Sequence, residues 1–136
     1  MTQNKKLPDY FNVLAKPTGA VCNLDCKYCF FLSKEMLYPG SRFRMADELL
    51  EEYIKQMIES QNIPEVLISW QGGEPTLMGL DFFRRSIELE NKYKKQGTVI
   101  SNTMQTNGIL IDDESEIANA IGRINDDYDN FSILCN

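Results

Sequence analysis

Histidine is absent from all 136 residues, and cysteine occurs only four times. The first absence removes the mixed cysteine and histidine sets through which structural zinc commonly reaches four-coordination. Positive charge is also scarce: 14 lysines and arginines stand against 20 aspartates and glutamates, for a net charge of -6. A chain of that sign has no bulk attraction for nucleic acid or an anionic membrane surface, so neither is expected as a partner. No segment approaches the roughly 18 consecutive apolar residues of a membrane span. The N-terminus, MTQNKKLPDYFNVLAK, carries two lysines but no apolar run of signal-peptide length. The expected location is therefore the cytoplasm, where clustered cysteines bind metal or carry redox chemistry more often than they form structural disulfides. Internal repeats, low-complexity tracts and flexible linkers are missing too. The length and the 43% apolar content fit one domain with one ordinary core.

Three of the four cysteines fall within CNLDCKYCF, as Cys22, Cys26 and Cys29. The spacing CxxxCxxC lets one loop wrap three thiolates around a single iron-sulfur cluster. Clusters held by protein alone usually take four cysteines. With three, one iron of a four-iron cluster keeps an open position that a small molecule can chelate. Zinc and a disulfide or inert thiols remain the competing readings. Cys135 completes a four-cysteine site only if the chain's end folds back to this loop; otherwise it is a buried strand thiol, since free cysteine behaves as a small hydrophobe.

Residues 10–16, YFNVLAK, suit a first strand that ends ahead of Pro17 and Gly19. From Ala46 to Gln61, Leu50, Tyr53, Ile54, Met57 and Ile58 recur at helical spacing, Asp47 and Glu48 suit the N-terminal dipole, and Pro64 stops the helix. VLISW (66–70) reads as a strand buried on both faces. Residues 81–95 read as a second helix with Phe83 and Ile87 inward, closed by Gly97, and 98–105 as a third strand. A further helix is predicted over 112–124 and a fourth strand over 131–135. Strands alternating with helices predict a parallel α/β sheet built from right-handed crossovers, with ligands at the C-terminal strand edge.

Each motif loop follows a predicted strand. Gln71, Gly72, Gly73, Glu74 and Pro75 follow the second; two glycines let backbone approach a ligand closely, and Glu74 is a candidate acceptor for an ammonium group. Taken alone, this run is equally a strand-to-helix turn. QTNG (105–108) ends the third strand, making Gln105 and Asn107 further candidates, although Asn-Gly is also a common turn. The charge runs KKQG and DDESE read as solvated faces and caps, and the apolar stripe from Leu50 to Ile58 as helix-to-sheet packing.

CNLDCKYCF resembles the signature of radical S-adenosylmethionine enzymes. The resemblance implies that Cys22, Cys26 and Cys29 bind a four-iron, four-sulfur cluster whose unique iron takes the amino and carboxylate groups of S-adenosylmethionine. Tyr28 then contacts the adenine, and Gly72, Gly73 and Glu74 the methionine moiety. Reduction by the cluster cleaves the cofactor to methionine and a 5'-deoxyadenosyl radical that abstracts a substrate hydrogen. With LSKEMLYPGSRFRMADELLEEYI, SWQGGEPTLMGLDFFRRSIEL and SNTMQTNGILID, residues 10–113 are similar in order to the anaerobic sulfatase-maturating enzymes. Those enzymes oxidise a cysteine or serine of a sulfatase to formylglycine, which implies a sulfatase polypeptide as partner and adds Gln71 as a site residue.

Beyond Asp113 the sequence departs from that family's pattern. NAIGRINDDYDNFSILCN replaces the expected Ser-x-Asp-Gly-Pro-like loop and following arginine. The resemblance therefore implies a partial radical S-adenosylmethionine (β/α) barrel of about three to four units over residues 1–136, a single incomplete core domain without the C-terminal auxiliary-cluster domain. Such a barrel has an open sheet edge through which the chain can self-associate. A catalyst and a non-catalytic remnant that binds a cluster or a partner are both consistent with this reading.

Overall fold

A computed structural model describes residues 9–29, 36–111 and 131–135. Four parallel strands lie side by side in chain order: β1 (Leu14–Ala15), β2 (Glu65–Trp70), β3 (Val99–Thr106) and β4 (Phe131–Cys135). Helix α1 (Asp47–Glu59) joins β1 to β2, and a 3-10 turn (Pro75–Met78) and α2 (Leu80–Tyr93) join β2 to β3. This is the α/β open sheet expected from the alternation of periods. The helix predicted over 112–124 lies outside the described residues.

Strand β1 is shorter than the run 10–16. Its register pairs Leu14 with Ser69 and Ala15 with Trp70. Further back the chain leaves the ladder, because the Phe11 amide donates to Gln61 Oε1 at 3.0 Å and Tyr10, Phe11 and Val13 remain exposed. Helix α1 buries Leu50, Ile54, Met57 and Ile58, as its periodicity predicts, with Asp47 and Glu48 in its first turn. It ends at Ser60, well before Pro64, where the Gln61 side chain folds back to donate to the Met57 carbonyl at 2.9 Å.

In β2 and β3 the two sheet faces differ. Val66, Ile68 and Trp70 stand beside Ile100, Asn102 and Met104 on the face covered by the helices. Trp70 anchors that side, with Tyr53, Phe82 and Phe83 packed edge-on at ring centroid distances of 5.6, 5.5 and 6.0 Å. The opposite face is a polar ladder: Thr103 donates to Ser69 at 3.1 Å, Ser101 bonds Glu65, and Gln71 bonds Gln105. Among the described residues, the apolar run VLISW is thus packed against helices on one side only, although Ser69 is itself buried.

The inward stripe of α2 also differs from expectation. Phe83, Ser86, Leu89 and Glu90 are buried, and Ile87 is half-buried. The reason lies on β3, where Asn102 occupies an inward position. Its amide donates to Glu90 Oε2 at 2.9 Å, its oxygen accepts from Trp70 Nε1 at 3.2 Å, and Ser86 donates to Glu90 Oε1 at 3.0 Å. Burial pushes the Glu90 carboxyl up to about 7, against the opposing pull of the Asn102 and Ser86 donors.

Folding therefore takes up a proton at Glu90 between pH 4.5, the ordinary carboxyl value, and about 7. The group's stabilising contribution is complete below that window, declines as pH rises through it and is gone above it, a total of about 3 kcal/mol. Glu90→Gln keeps donors and acceptors in place without the charge. Urea unfolding at about pH 5 and about pH 8 should give the substituted protein the shallower pH dependence. Equal slopes for both proteins would refute this account of Glu90.

Candidate functional site

The loops after β1, β2 and β3 meet at the C-terminal edge of the sheet around a cavity of about 300 Å³. The first loop brings Cys22, Cys26, Tyr28 and Cys29 to its wall, the second Gln71, Gly72, Gly73 and Glu74, and the third Gln105 and Asn107. Every site residue read from the sequence thus lines one cavity. The three thiols are free and half-exposed. A larger neighbouring cavity of about 510 Å³, walled by Leu37, Tyr38, Phe43 and Leu49, shares Lys16 and holds no thiol.

The glycine pair makes this convergence sterically feasible. Gly73 has φ +47°, and a Cβ there would lie 2.0 Å from the Val21 carbonyl oxygen and 2.7 Å from its carbon. The same Val21 oxygen accepts the Glu74 amide at 2.8 Å. Gly72, at φ +84°, lies beneath the Lys16 side chain, whose carbons stand 2.6 to 2.7 Å from a Cβ built on it. Thr18, 2% exposed, locks the two loops by sharing its one hydroxyl proton between the carbonyls of Gly72 and Glu74, each at 3.3 Å.

Glu74 is fully buried, and its carboxylate joins the second loop to the third. Oε1 accepts from the Thr76 amide at 3.2 Å, the Thr76 hydroxyl at 2.7 Å and the Thr106 hydroxyl. Oε2 accepts the Asn107 amide at 2.8 Å. A carboxylate offers about four acceptor directions, so protein donors take up most of them. The side chain expected to receive an ammonium group thus also braces the site from beneath, while still lining the cavity and with one protein donor on Oε2.

The third loop continues the chain of contacts. The Asn107 side chain donates from Nδ2 to Asn23 Oδ1 at 2.8 Å and to Cys22 Sγ at 3.7 Å, and Cys22 Sγ also accepts the Leu24 amide at 3.4 Å. Gln71 Nε2 donates to Gln105 Oε1 across the ends of β2 and β3. Tyr28 is 87% exposed, and the Cys26 side chain beside it holds its phenol above the ordinary range. Partial burial lowers the Lys16 ammonium.

Thr18, Lys16, Asn23 and Thr106 were not singled out from the sequence. Thr106 sits inside QTNG, and Thr18 follows the Pro17 that ends β1; neither residue carries a local sign that its hydroxyl bonds a loop more than 30 residues away.

The donor set fits an iron-sulfur cluster held by three thiolates: three free cysteines on one short loop, facing a cavity that they share with the glycine pair, Lys16, Glu74 and the amides of Gln71, Gln105 and Asn107. Among the described residues, no three histidine, cysteine, aspartate or glutamate side chains converge as they would around a single metal ion. The Radical SAM superfamily model matches residues 17–133. The chain belongs to that superfamily, and with it come a four-iron, four-sulfur cluster and S-adenosylmethionine as cofactors.

Its relatives narrow the comparison. The chain is 48% identical over 103 residues to the serine-type anaerobic sulfatase-maturating enzyme of Bacteroides thetaiotaomicron, covering 75% of this chain and 25% of that protein. It is 41% identical over 103 residues to the cysteine-type anaerobic sulfatase-maturating enzyme of Clostridium perfringens, covering 75% and 28%. A solved structure of native anSMEcpe with bound AdoMet and Cp18Cys peptide superposes with a TM-score of 0.70 at 35% identity, over 89% of this chain and 29% of that one. The chain thus spans about a quarter of the length of the curated relatives it matches.

Proposed function

We propose that Cys22, Cys26 and Cys29 hold the cluster, that the backbone of Gly72 and Gly73 receives the methionine moiety of S-adenosylmethionine, and that Tyr28, Gln71 and Gln105 border its nucleoside part and the substrate. The carrying observation is the single cavity in which loops from three successive strands meet. When bound, the reduced cluster supplies the electron that cleaves S-adenosylmethionine and so starts hydrogen abstraction from a substrate. The chain's own residues position that chemistry: Gly73 admits the close approach of the cysteine loop, Thr18 locks it, and Glu74 braces the third loop.

Similarity to serine-type and cysteine-type maturating enzymes supports a sulfatase polypeptide as substrate and oxidation of its serine or cysteine as the reaction. No helix among the described residues is long and apolar enough to cross a membrane. The need of three accessible thiols for reducing conditions supports the cytoplasm. The edges of the sheet at β1 and β4, which no described strand pairs, favour self-association.

A second reading, a cluster-binding protein without turnover, is favoured by the polar sheet face, which no described helix covers. The deciding experiment is electron paramagnetic resonance of the anaerobically reconstituted, dithionite-reduced chain with and without S-adenosylmethionine. A four-iron signal altered by the cofactor is the expected result. An unresponsive signal would limit the protein to cluster binding, and zinc in place of iron would overturn the proposal. Formation of 5'-deoxyadenosine then separates the catalyst from the silent binder.

A further inference from the structure

Asn107 is where the loop after β3 touches the cysteine loop, and both polar atoms of its side chain are hydrogen-bonded. Its backbone N–H donates to Glu74 Oε2 at 2.8 Å, while in the side chain Oδ1 accepts the Ile109 amide at 3.1 Å and Nδ2 donates to Asn23 Oδ1 at 2.8 Å. What remains of Nδ2 is directed at Cys22 Sγ, 3.7 Å away. Glu74, buried and gripped by Thr76 and Thr106, keeps the Asn107 backbone from drifting. The side-chain amide is therefore a preorganised dipole with its positive end at one sulfur of the cysteine set.

We propose that Asn107 sets the reduction potential of the cluster by donating a hydrogen bond to the Cys22 thiolate, and that it is not a contact to the methionine or nucleoside of the cofactor. The inference rests on the cluster reading above. An N–H dipole aimed at a ligating sulfur withdraws electron density and favours the more negative, reduced cluster, so it raises the potential. The Leu24 amide acts on the same sulfur but comes from the adjacent turn. Asn107 is the donor that the tertiary structure adds.

The test is a redox titration of the full chain, anaerobically reconstituted and free of S-adenosylmethionine, read by the paramagnetic signal of the reduced cluster. Asn107→Leu keeps the branching at Cγ and removes the donor. Asn23→Ala cuts the tie between the loops and spares the Nδ2 to sulfur bond. At equal iron content, Asn107→Leu should lower the ratio of reduced to oxidised cluster at a fixed potential about tenfold, about 59 mV for one electron. Asn23→Ala should leave it close to the parent. An unmoved potential in Asn107→Leu, or equal shifts in both variants, would overturn the role.

If Asn107→Leu fails to load iron, pulsed paramagnetic resonance on Asn23→Ala, with asparagine carrying nitrogen-15 only in the side-chain amide, decides instead. A nitrogen-15 coupling to the cluster supports the bond, and its absence overturns it. A parent chain that assembles no cluster defeats the cluster reading itself, whereas a cluster of unmoved potential defeats only the part given to Asn107.

Discussion

Gly73→Ala should destabilise the fold by about 4 kcal/mol, the sum of a left-handed backbone strain of about 1 kcal/mol and severe overpacking of about 3 kcal/mol. The overpacking is of an unforgiving kind. The new methyl would meet the Val21 carbonyl oxygen at 2.0 Å and the Ala20 carbonyl carbon at 2.9 Å, both backbone atoms that no rotamer change can move. Relief requires the cysteine loop to withdraw from the QGGE turn, breaking the Glu74 to Val21 bond and both Thr18 bonds. Iron uptake on reconstitution should therefore fall with stability. Gly97→Ala is the internal control: φ there is +80° and nothing lies within 4 Å of the new Cβ, so only the backbone strain of about 1 kcal/mol applies. Denaturant unfolding that gives the two variants equal losses would show that the loop contact at Gly73 is dispensable.

Replacing Cys22, Cys26 or Cys29 singly with alanine should reduce reconstituted iron at least about tenfold while leaving the fold intact, because three protein ligands leave none to spare. The fold survives because these thiols are half-exposed at the cavity and lie outside the apolar core around Trp70 and the two helices. Cys135→Ala supplies the contrast. Cys135 ends β4, in register with Thr106 at the same sheet edge as the cavity. On the three-thiolate reading its loss leaves iron content unchanged. Loss of metal in Cys135→Ala equal to that in Cys26→Ala would instead point to a four-cysteine site and return zinc to first place. Metal analysis beside circular dichroism separates these outcomes from simple unfolding.

Much of the architecture was legible from local pattern. The stripe Leu50, Ile54, Met57 and Ile58 is the buried face of α1, and the runs around VLISW, TVISNTMQ and FSILC are β2, β3 and β4. Where reading failed, a long-range partner decided. Residues 10–13 look like strand, but Gln61 captures the Phe11 amide, so β1 shrinks to two residues. Ile87 looks like core, but Asn102 on β3 draws the polar pair Ser86 and Glu90 inward. The difference between the two sheet faces was likewise hidden in an apolar run, because only the helices' placement shows which side excludes water.

Residue order is enough to name the donors and where they occur: three thiols at CxxxCxxC spacing, a glycine pair with a glutamate after a strand, and an Asn-Gly after the next. These are properties of neighbours in the chain, set by residue type, turn preference and the C-terminal edge of a parallel sheet. The tertiary structure alone decided where their side chains are directed. Glu74 braces the third loop because Thr76, Thr106 and Asn107 converge on it, and Asn107 reaches Cys22 across 85 positions of sequence. Hydrogen-bond partners so far apart in the chain leave no period, spacing or composition to read, since they become neighbours only when the strands have paired.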